Sequence, residues 1–292
     1  MVSKEILKKV RKIQLKILRM STDIMSGSYV SAFKGMGIEF NEVREYIPGD
    51  DIRSIDWNVT ARSHTAYVKR FVEERELTLI LMVDLSGSQR FGSTDVLKNE
   101  LAAEISALFA FLAIKNNDKV GLLLFSDTCE KYLKPQKGRV HVLRVIREIL
   151  GYTPQHIGTD ITQAANFINK VTNHRSIIFL VSDFLDSQYE KALKSLAKRH
   201  DLVAVRITDP RELELPSVGL VEFQDTETGA YHLVDTYSKS LREEVRKKAL
   251  ERYNSTASVL KAAKIDVIEI AADQPYIEPL QKFFIKRMKR RR

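Results

Sequence analysis

The chain has one cysteine, Cys129, so no internal disulfide can form and the fold must be held by its own core. It has no apolar run long enough to cross a bilayer: the longest, Ala107 to Ile114, falls far short of the roughly 20 residues that a spanning helix needs. The start, MVSKEILKKV, lacks the apolar stretch of a secretory leader, and the expected compartment is the cytoplasm. With 7 prolines and 12 glycines in 292 residues, and no low-complexity tract or fixed repeat, neither a fibrous nor a disordered chain is indicated. What remains is the composition of an ordinary soluble globular protein with enough residues for a substantial core.

The net charge of +9 is unevenly placed. Residues 1–20 carry +6 and residues 280–292 carry +7, which leaves the body between them mildly acidic. A broad nucleic-acid-binding face on the core is therefore not expected; a basic arm or tail touching nucleic acid or an anionic membrane surface is the remaining form of that reading. In the first arm, Ile6, Val10, Ile13, Ile17 and Met20 recur at helical spacing with lysines on the other faces. This amphipathic helix can dock on its own domain, on a partner or on a membrane surface.

The body reads as alternating strands and helices. LTLILMVDLSGS, residues 77–88, is an apolar run that ends at Asp84, followed by Ser86 and Ser88. Such a run suits a strand buried on both faces of a parallel sheet, with Asp84 at its C-terminal edge. Helix is expected from Thr94, as cap, to about Lys115; strand over Lys119 to Phe125; and a short edge strand over Lys131 to Lys134, ended by Pro135. Helices then fall at Val140 to Leu150, Ile161 to Val171 (with Thr159 as N-cap) and Leu185 to His200, with strands at Ser176 to Val181 and Leu202 to Ile207. A hairpin over Val221 to Val234, a long helix from Lys239 to Lys264, a strand from Ile265 to Ala271 and a last helix from Pro275 complete the pattern. The fold class is α/β: a doubly wound, mostly parallel sheet with helices on both faces. The expected domains are 1–75, a basic helix and irregular extension packed on the core, and 76–292, the α/β body with its basic tail.

Within the extension, FNEVREYIPGDDIRSIDWNVTAR holds Pro48-Gly49, suited to a type II turn. Arg44, Glu45, Asp50, Asp51, Arg53, Asp56 and Arg62 surround it beside Trp57, the only tryptophan. The readings are an Arg–carboxylate network that fixes a loop and a partner-contact surface.

Asp84, Ser86, Ser88, Thr159 and Asp183 all fall on the predicted C-terminal rim of the sheet, where open α/β folds bind ligands. Asp and Ser at a strand end also serve simply to cap turns. As a set, however, these are hard oxygen donors without histidine or thiol, which suits Mg²⁺ or its relatives Mn²⁺ and Ca²⁺ rather than zinc. No nucleophile paired with a general base stands out, so no catalytic residue is assigned and the chain is read as a non-enzyme.

With its DxSxS (Asp84, Ser86, Ser88), Gly158-Thr159 and strand-terminal Asp183 in that order, the chain resembles the von Willebrand factor A-type domain with a metal-ion-dependent adhesion site. More closely, GMGIEFNEVREYIPGDDIRSIDWNVTAR, FVEERELTLILMVDLSGS, KVGLLLFS and LVSDF resemble the bacterial family called domain of unknown function 58. The resemblance implies a metal-dependent protein-interaction module that accepts a partner's Asp or Glu carboxylate. It implies as partner a MoxR-type AAA+ ATPase, in chaperone-like assembly or maturation. Two departures stand out: Asp183 is followed by Phe184 rather than glycine, and Gln89 follows the last serine where relatives often have methionine. The alternative from another class is a Mg²⁺-dependent phosphohydrolase. Haloacid-dehalogenase-like phosphatases have a second aspartate two residues after the first, at the position held here by Ser86.

Overall fold

The computed structural model describes residues 8, 10–13, 15, 23–33, 38–63, 65–73, 76–90, 92, 97–224 and 230–290. They cluster into two units, one of residues Met1–Ala32 with Thr78–Arg292, the other Phe33–Leu77.

The first unit includes the N-terminal arm, which is helical at its described residues, with Val10 and Ile13 buried. Ile6, Ile17 and Met20 of the expected apolar seam lie outside the described residues. Helix α1 (Asp23–Phe33) places Tyr29 fully inside, where its hydroxyl donates to Asp118 at 3.1 Å and its ring meets Phe284 edge-on.

The second unit is built on an antiparallel pair, β1 (Ile38–Glu45) and β2 (Tyr67–Glu73). Between them Gly49 takes φ +111°, and Asp50 N–H donates to Ile47 O, closing the Pro48-Gly49 turn. Arg44 grips Asp50 with two parallel bonds of 2.7 and 2.8 Å. The other acids of this stretch do different work. Asp51 and Asp56 accept backbone N–H groups at the starts of a 3₁₀ turn (Ile52–Ser54) and of the short helix α2 (Trp57–Thr60), and Asp56 also pairs with Lys69 at 3.5 Å, so these two acids serve as helix caps beside the Arg44–Asp50 pair.

The large unit continues with β3 (Thr78–Asp84), α3 (Lys98–Lys115), β4 (Lys119–Phe125), β5 (Cys129–Gln136), α4 (Arg139–Gly151), α5 (Ile161–Val171), β6 (Ile177–Ser182), α6 (Glu190–Arg199) and β7 (Asp201–Thr208). It ends with α7 (Pro210–Leu213), the hairpin β8 (Leu220–Gln224) and β9 (Tyr231–Asp235), α8 (Lys239–Ala262), β10 (Asp266–Ala271) and α9 (Ile277–Arg290). Six strands form one sheet in the order β10-β7-β6-β3-β4-β5, parallel except for the edge strand β5.

Both faces of the sheet are covered. Ile80, Met82, Ile178 and Leu180 pack with Ile161, Leu193, Leu196 and Leu260 from α5, α6 and α8. On the other face Phe109 of α3 stacks on Phe179 of β6 at 3.8 Å between ring centroids, and Phe284 of α9 meets Phe109 edge-on. Residues Leu79–Val83 of β3 are wholly buried, which explains the unbroken apolar run: a strand covered on both faces has no solvent side to make polar.

Three local expectations are corrected. The strand over 131–134 extends to Gln136 through Pro135, because the register with β4 breaks between Val120 and Leu122 and the edge position does not need the missing N–H. The helix expected from Leu185 starts only at Glu190, since Phe184 and Gln188 take positive φ (59° and 65°), which no helix accommodates. Thr159 does not cap α5; Asp160 does, accepting from Gln163 N–H at 2.7 Å. Thr94 lies outside the described residues, and α3 begins after Leu97, whose side chain makes no cap bond.

Gly121 in β4 marks a close approach. A Cβ there would stand 2.9 Å from Pro135 Cγ, 3.2 Å from its Cδ and 3.3 Å from Leu133 O, a rigid ring and backbone rather than a yielding side-chain end. Gly121→Ala is expected to destabilise by about 1–3 kcal/mol, read as a lower urea midpoint; an unchanged midpoint would show that β5 can move aside.

Candidate functional site

The sheet reverses its winding between β3 and β6. β3 leaves through α3 toward β4, β6 leaves through α6 toward β7, and the two strands are neighbours in register from Leu79↔Ile177 to Val83↔Val181. Their connections exit in opposite directions, which opens a crevice at their C-terminal ends. Asp84 ends β3 and Asp183 follows β6, so the fold delivers both carboxylates to this crevice.

The loop after β3 is pinned by its own acid. Asp84 Oδ1 accepts from Ser86 N–H at 2.8 Å, and Oδ2 accepts from the Ser182 hydroxyl at 2.6 Å; the Ser182 oxygen in turn accepts from Phe184 N–H. Gln89 N–H returns to Ser86 O, closing a 3₁₀ turn over Gly87–Arg90. That turn brings the hydroxyls of Ser86 and Ser88 to 3.1 Å from each other, both buried. Gly87 N–H donates to Ile157 O, and Asp160 N–H donates to Ser126 O, so the 152–160 loop is tied to both the serine loop and the end of β4. Thr159 rides on that tied loop. Its hydroxyl is buried without a hydrogen-bond partner among the described residues, and the residue lines a cleft of about 720 Å³ shared with Asp127, Phe184, Asp186 and Arg252.

Asp84, Ser86, Ser88 and Asp183 are therefore buried together, and the loop that carries Thr159 is tied to theirs through the Ile157–Gly87 bond, while Thr159 itself lines a cleft that none of the four shares. Burial, and secondarily the neighbouring Asp183 carboxylate, push Asp84 up to about 7 despite the bonds from Ser182 and Ser86. A site that disfavours two bare carboxylates so strongly invites a cation.

One cation is already present, and the sequence reading missed it. Lys98, on the first turn of α3, is fully buried; its ammonium donates to Asp183 Oδ2 at 2.7 Å and also to Glu212 Oε1. Glu212 is held in α7 by a capping box with Asp209, donor and acceptor exchanged between cap and third residue. Burial opposes the charge on Lys98, but the Asp183 and Glu212 carboxylates outweigh it and hold the ammonium above its ordinary value. A signal for Lys98 was available: it shares a helical stripe with Leu101, Ala102 and Ile105, all buried. Nothing local pointed to Glu212.

The basic tail is partly committed. Arg287 is buried and paired with Asp201 and Asp266, and Arg290 grips both oxygens of Asp266 at 2.7 Å. Among the described residues no helix is long and apolar enough to cross a membrane.

Known proteins place the chain as follows. It is 27% identical over 281 residues, 95% of this chain and 88% of the other, to the uncharacterized protein Rv1480 of Mycobacterium tuberculosis. Among solved structures it is similar to the conserved hypothetical protein BatB of Bacteroides thetaiotaomicron, with TM-score 0.46, 15% identity, and coverage of 73% of this chain and 99% of that one. It is also similar to the SpRpn10 VWA domain, with TM-score 0.40, 12% identity, and coverage of 70% and 93%. The family described as "Protein of unknown function DUF58" matches residues 42–255, and the chain belongs to that family.

Proposed function

We propose that the crevice between β3 and β6 holds a hard divalent cation, Mg²⁺ in the first instance with Mn²⁺ and Ca²⁺ as relatives, and through it the carboxylate of a protein partner. The observation that carries this reading is the pair of buried hydroxyls, Ser86 and Ser88, set 3.1 Å apart on a loop pinned by Asp84. The unpartnered hydroxyl of Thr159 supports it, since a buried oxygen with no donor or acceptor partner is costly unless a ligand completes it. The donors fit a hydroxyl-rich oxygen site, with Ser86, Ser88 and Thr159 as holders and Asp84 and Asp183 supplying charge. Among the described residues no three His, Cys, Asp or Glu side chains group as a metal cluster, so the site would rest on hydroxyls and water more than on charge.

When bound, such an ion offers an open coordination position to an anionic oxygen. The chain's own part is to hold the loop: Asp84 has both oxygens engaged, by Ser86 N–H and the Ser182 hydroxyl, and is placed to orient rather than to attack. This favours binding over the phosphohydrolase reading, in which Asp84 would need a free oxygen aimed at phosphorus. The partner suggested by family resemblance is a MoxR-type AAA+ ATPase, and the chain would serve as its adaptor.

The experiment has two arms. Mn²⁺ binding, followed by its paramagnetic signal, is expected to weaken by about tenfold or more in Ser86→Ala. Recovery of the AAA+ ATPase on immobilised protein is expected in Mg²⁺, and is expected to be lost in EDTA and in Ser86→Ala. Equal Mn²⁺ affinity in wild type and variant would remove the metal site, and equal recovery in EDTA would remove the metal bridge.

A further inference from the structure

From 212 to 238 the sequence has six acids, Glu212, Glu214, Glu222, Asp225, Glu227 and Asp235, and neither lysine nor arginine, in a chain with 47 basic residues. This stretch carries the β8–β9 hairpin, in which Leu220 pairs with Asp235 and Glu222 with Leu233. Directly paired residues of an antiparallel ladder share a face, and so do residues two apart along a strand. Leu220, Glu222, Tyr231, Leu233 and Asp235 therefore stand on one face. That face is open: Leu220, Tyr231 and Leu233 are 69%, 63% and 70% exposed, and both acids are exposed beside them. On the other face Val221, Phe223 and Val234 are half-buried, and His232, next to the tip, is exposed.

The face is held at its base. Buried Thr236 donates its N–H and its hydroxyl to Gly219 O at 2.8 and 2.7 Å, and its hydroxyl oxygen accepts from Val218 N–H at 3.0 Å. Arg242 of α8 donates to the carbonyls of Thr236 and Tyr237. Exposed apolar side chains scattered singly are ordinary, but two leucines and a tyrosine on one ladder face make a patch of the kind that partners cover. Asp235 Oδ1 accepts Tyr237 N–H at 2.9 Å, and neither Asp235 nor Glu222 has a basic partner among the described residues.

Charge selects the occupant. Two unpaired carboxylates among the apolar groups repel nucleic acid and anionic membranes. A second copy presenting the same hairpin sets acid against acid, and its basic N-terminal arm is already engaged, with Val10 and Ile13 buried. A segment in which lysine or arginine alternates with apolar residues complements the face: its apolar groups cover Leu220 and Leu233 while its cations reach Glu222 and Asp235.

We propose that the open face of the β8–β9 hairpin docks a basic, apolar segment of a protein partner. This surface needs no metal and is tested in EDTA, where failure of the cation reading has no influence on the outcome. The probe is an acetylated hexapeptide of alternating leucine and lysine; a leucine–glutamate hexapeptide and hexalysine are the controls. The readout is the backbone amide signals of Leu220 and Leu233 in a nitrogen–proton correlation spectrum of the full chain, which report on the hairpin rather than on the basic termini. The leucine–lysine peptide is expected to shift both signals saturably, and neither control does. Glu222→Lys combined with Asp235→Lys is expected to weaken that peptide by about tenfold or more and to admit the leucine–glutamate peptide instead; Glu222→Lys alone serves if the double variant fails to fold. Leu233→Ser is expected to weaken binding at Leu220 with both acids intact. The proposal is overturned if the leucine–lysine peptide gives no saturable shift, if hexalysine matches it, or if charge reversal leaves its affinity unchanged. It is overturned equally if sedimentation shows a dimer that Leu233→Ser dissolves, as for a face covered by a second copy.

Discussion

Lys98→Met is expected to lower the stability of the protein by about 3–5 kcal/mol, measured by urea unfolding in EDTA. Methionine preserves the length, the helix propensity and the apolar stem of the lysine, so the loss isolates the charge. In the wild type the ammonium is fully buried between Asp183, whose side chain is 1% exposed, and Glu212, at 21%. Without it Asp183 faces Asp84 and Glu212 with no counter-charge, and desolvated carboxylates in that position are far costlier than the pairing was favourable. Glu212→Gln is expected to cost less, about 1–2 kcal/mol, because Lys98 keeps Asp183 and the capping bond to Asp209 N–H survives through the amide oxygen. A loss below 1 kcal/mol in Lys98→Met would mean that the crevice tolerates bare carboxylates, and the electrostatic account of the site would fall with it. The same variant bears on the cation. Lys98 occupies one oxygen of Asp183 that a divalent ion could use, so Mg²⁺ is expected to stabilise Lys98→Met by more than it stabilises the wild type. Equal increments would show that ammonium and metal do not compete.

The parts of this structure that were legible in the sequence are those in which one local cause dominates. β3, β4, β6 and β7 are covered on both faces, and their apolar runs declare them. Helix α5 was placed over Ile161–Val171 because its burial at Ile161, Ala164, Ala165 and Ile168 follows the helical period. β1 was not legible: IEFNEVRE belongs to a two-stranded ladder, and its acidic, interrupted pattern lacks the continuous apolar signature of the main sheet. The start of α6 was obscured because a positive φ at Phe184 and Gln188 carries no residue-type signature of the kind glycine provides. Asp84, Ser86, Ser88 and Asp183 could be placed together at the strand ends because strand ends and a DxSxS spacing are local. Lys98 meets Asp183 across 85 positions and Glu212 across 114, and such pairings are made by topology alone. Gln89 was seen only as a departure from its relatives; that its amide is buried and without a partner among the described residues is a product of tertiary packing.

Between about pH 4 and 6.5 two buried groups are expected to pull the stability of the metal-free protein in opposite directions, and single substitutions to separate them. His200 closes α6, with Nδ1 accepting from Ser176 N–H at 3.3 Å and the ring 2% exposed. Burial first, then the charges of Arg199 and Arg175, lower its pKa from 6.5 to about 4. In that window the unfolded chain takes up a proton at His200 that the folded chain refuses, so this contribution is present above about pH 6.5 and is lost as the pH falls toward 4. Its size is at most about 3 kcal/mol. Asp84 has the opposite sign: its folded value, about 7, lies above that of the unfolded chain, so the folded state holds the proton more tightly and stability falls as the pH rises toward 7. His200→Asn retains an acceptor for Ser176 N–H and removes the His200 contribution, and is expected to lose less stability than the wild type, each relative to its own value at pH 7, as the pH is lowered to 4. Asp84→Asn removes the Asp84 contribution and is expected to lose more stability than the wild type over the same range. Urea midpoints across the window in EDTA read both slopes. If His200→Asn tracks the wild type, then His200 titrates as an ordinary surface histidine and the burial argument is wrong; if Asp84→Asn tracks it, the crevice does not hold Asp84 protonated, and the electrostatic invitation to a cation disappears.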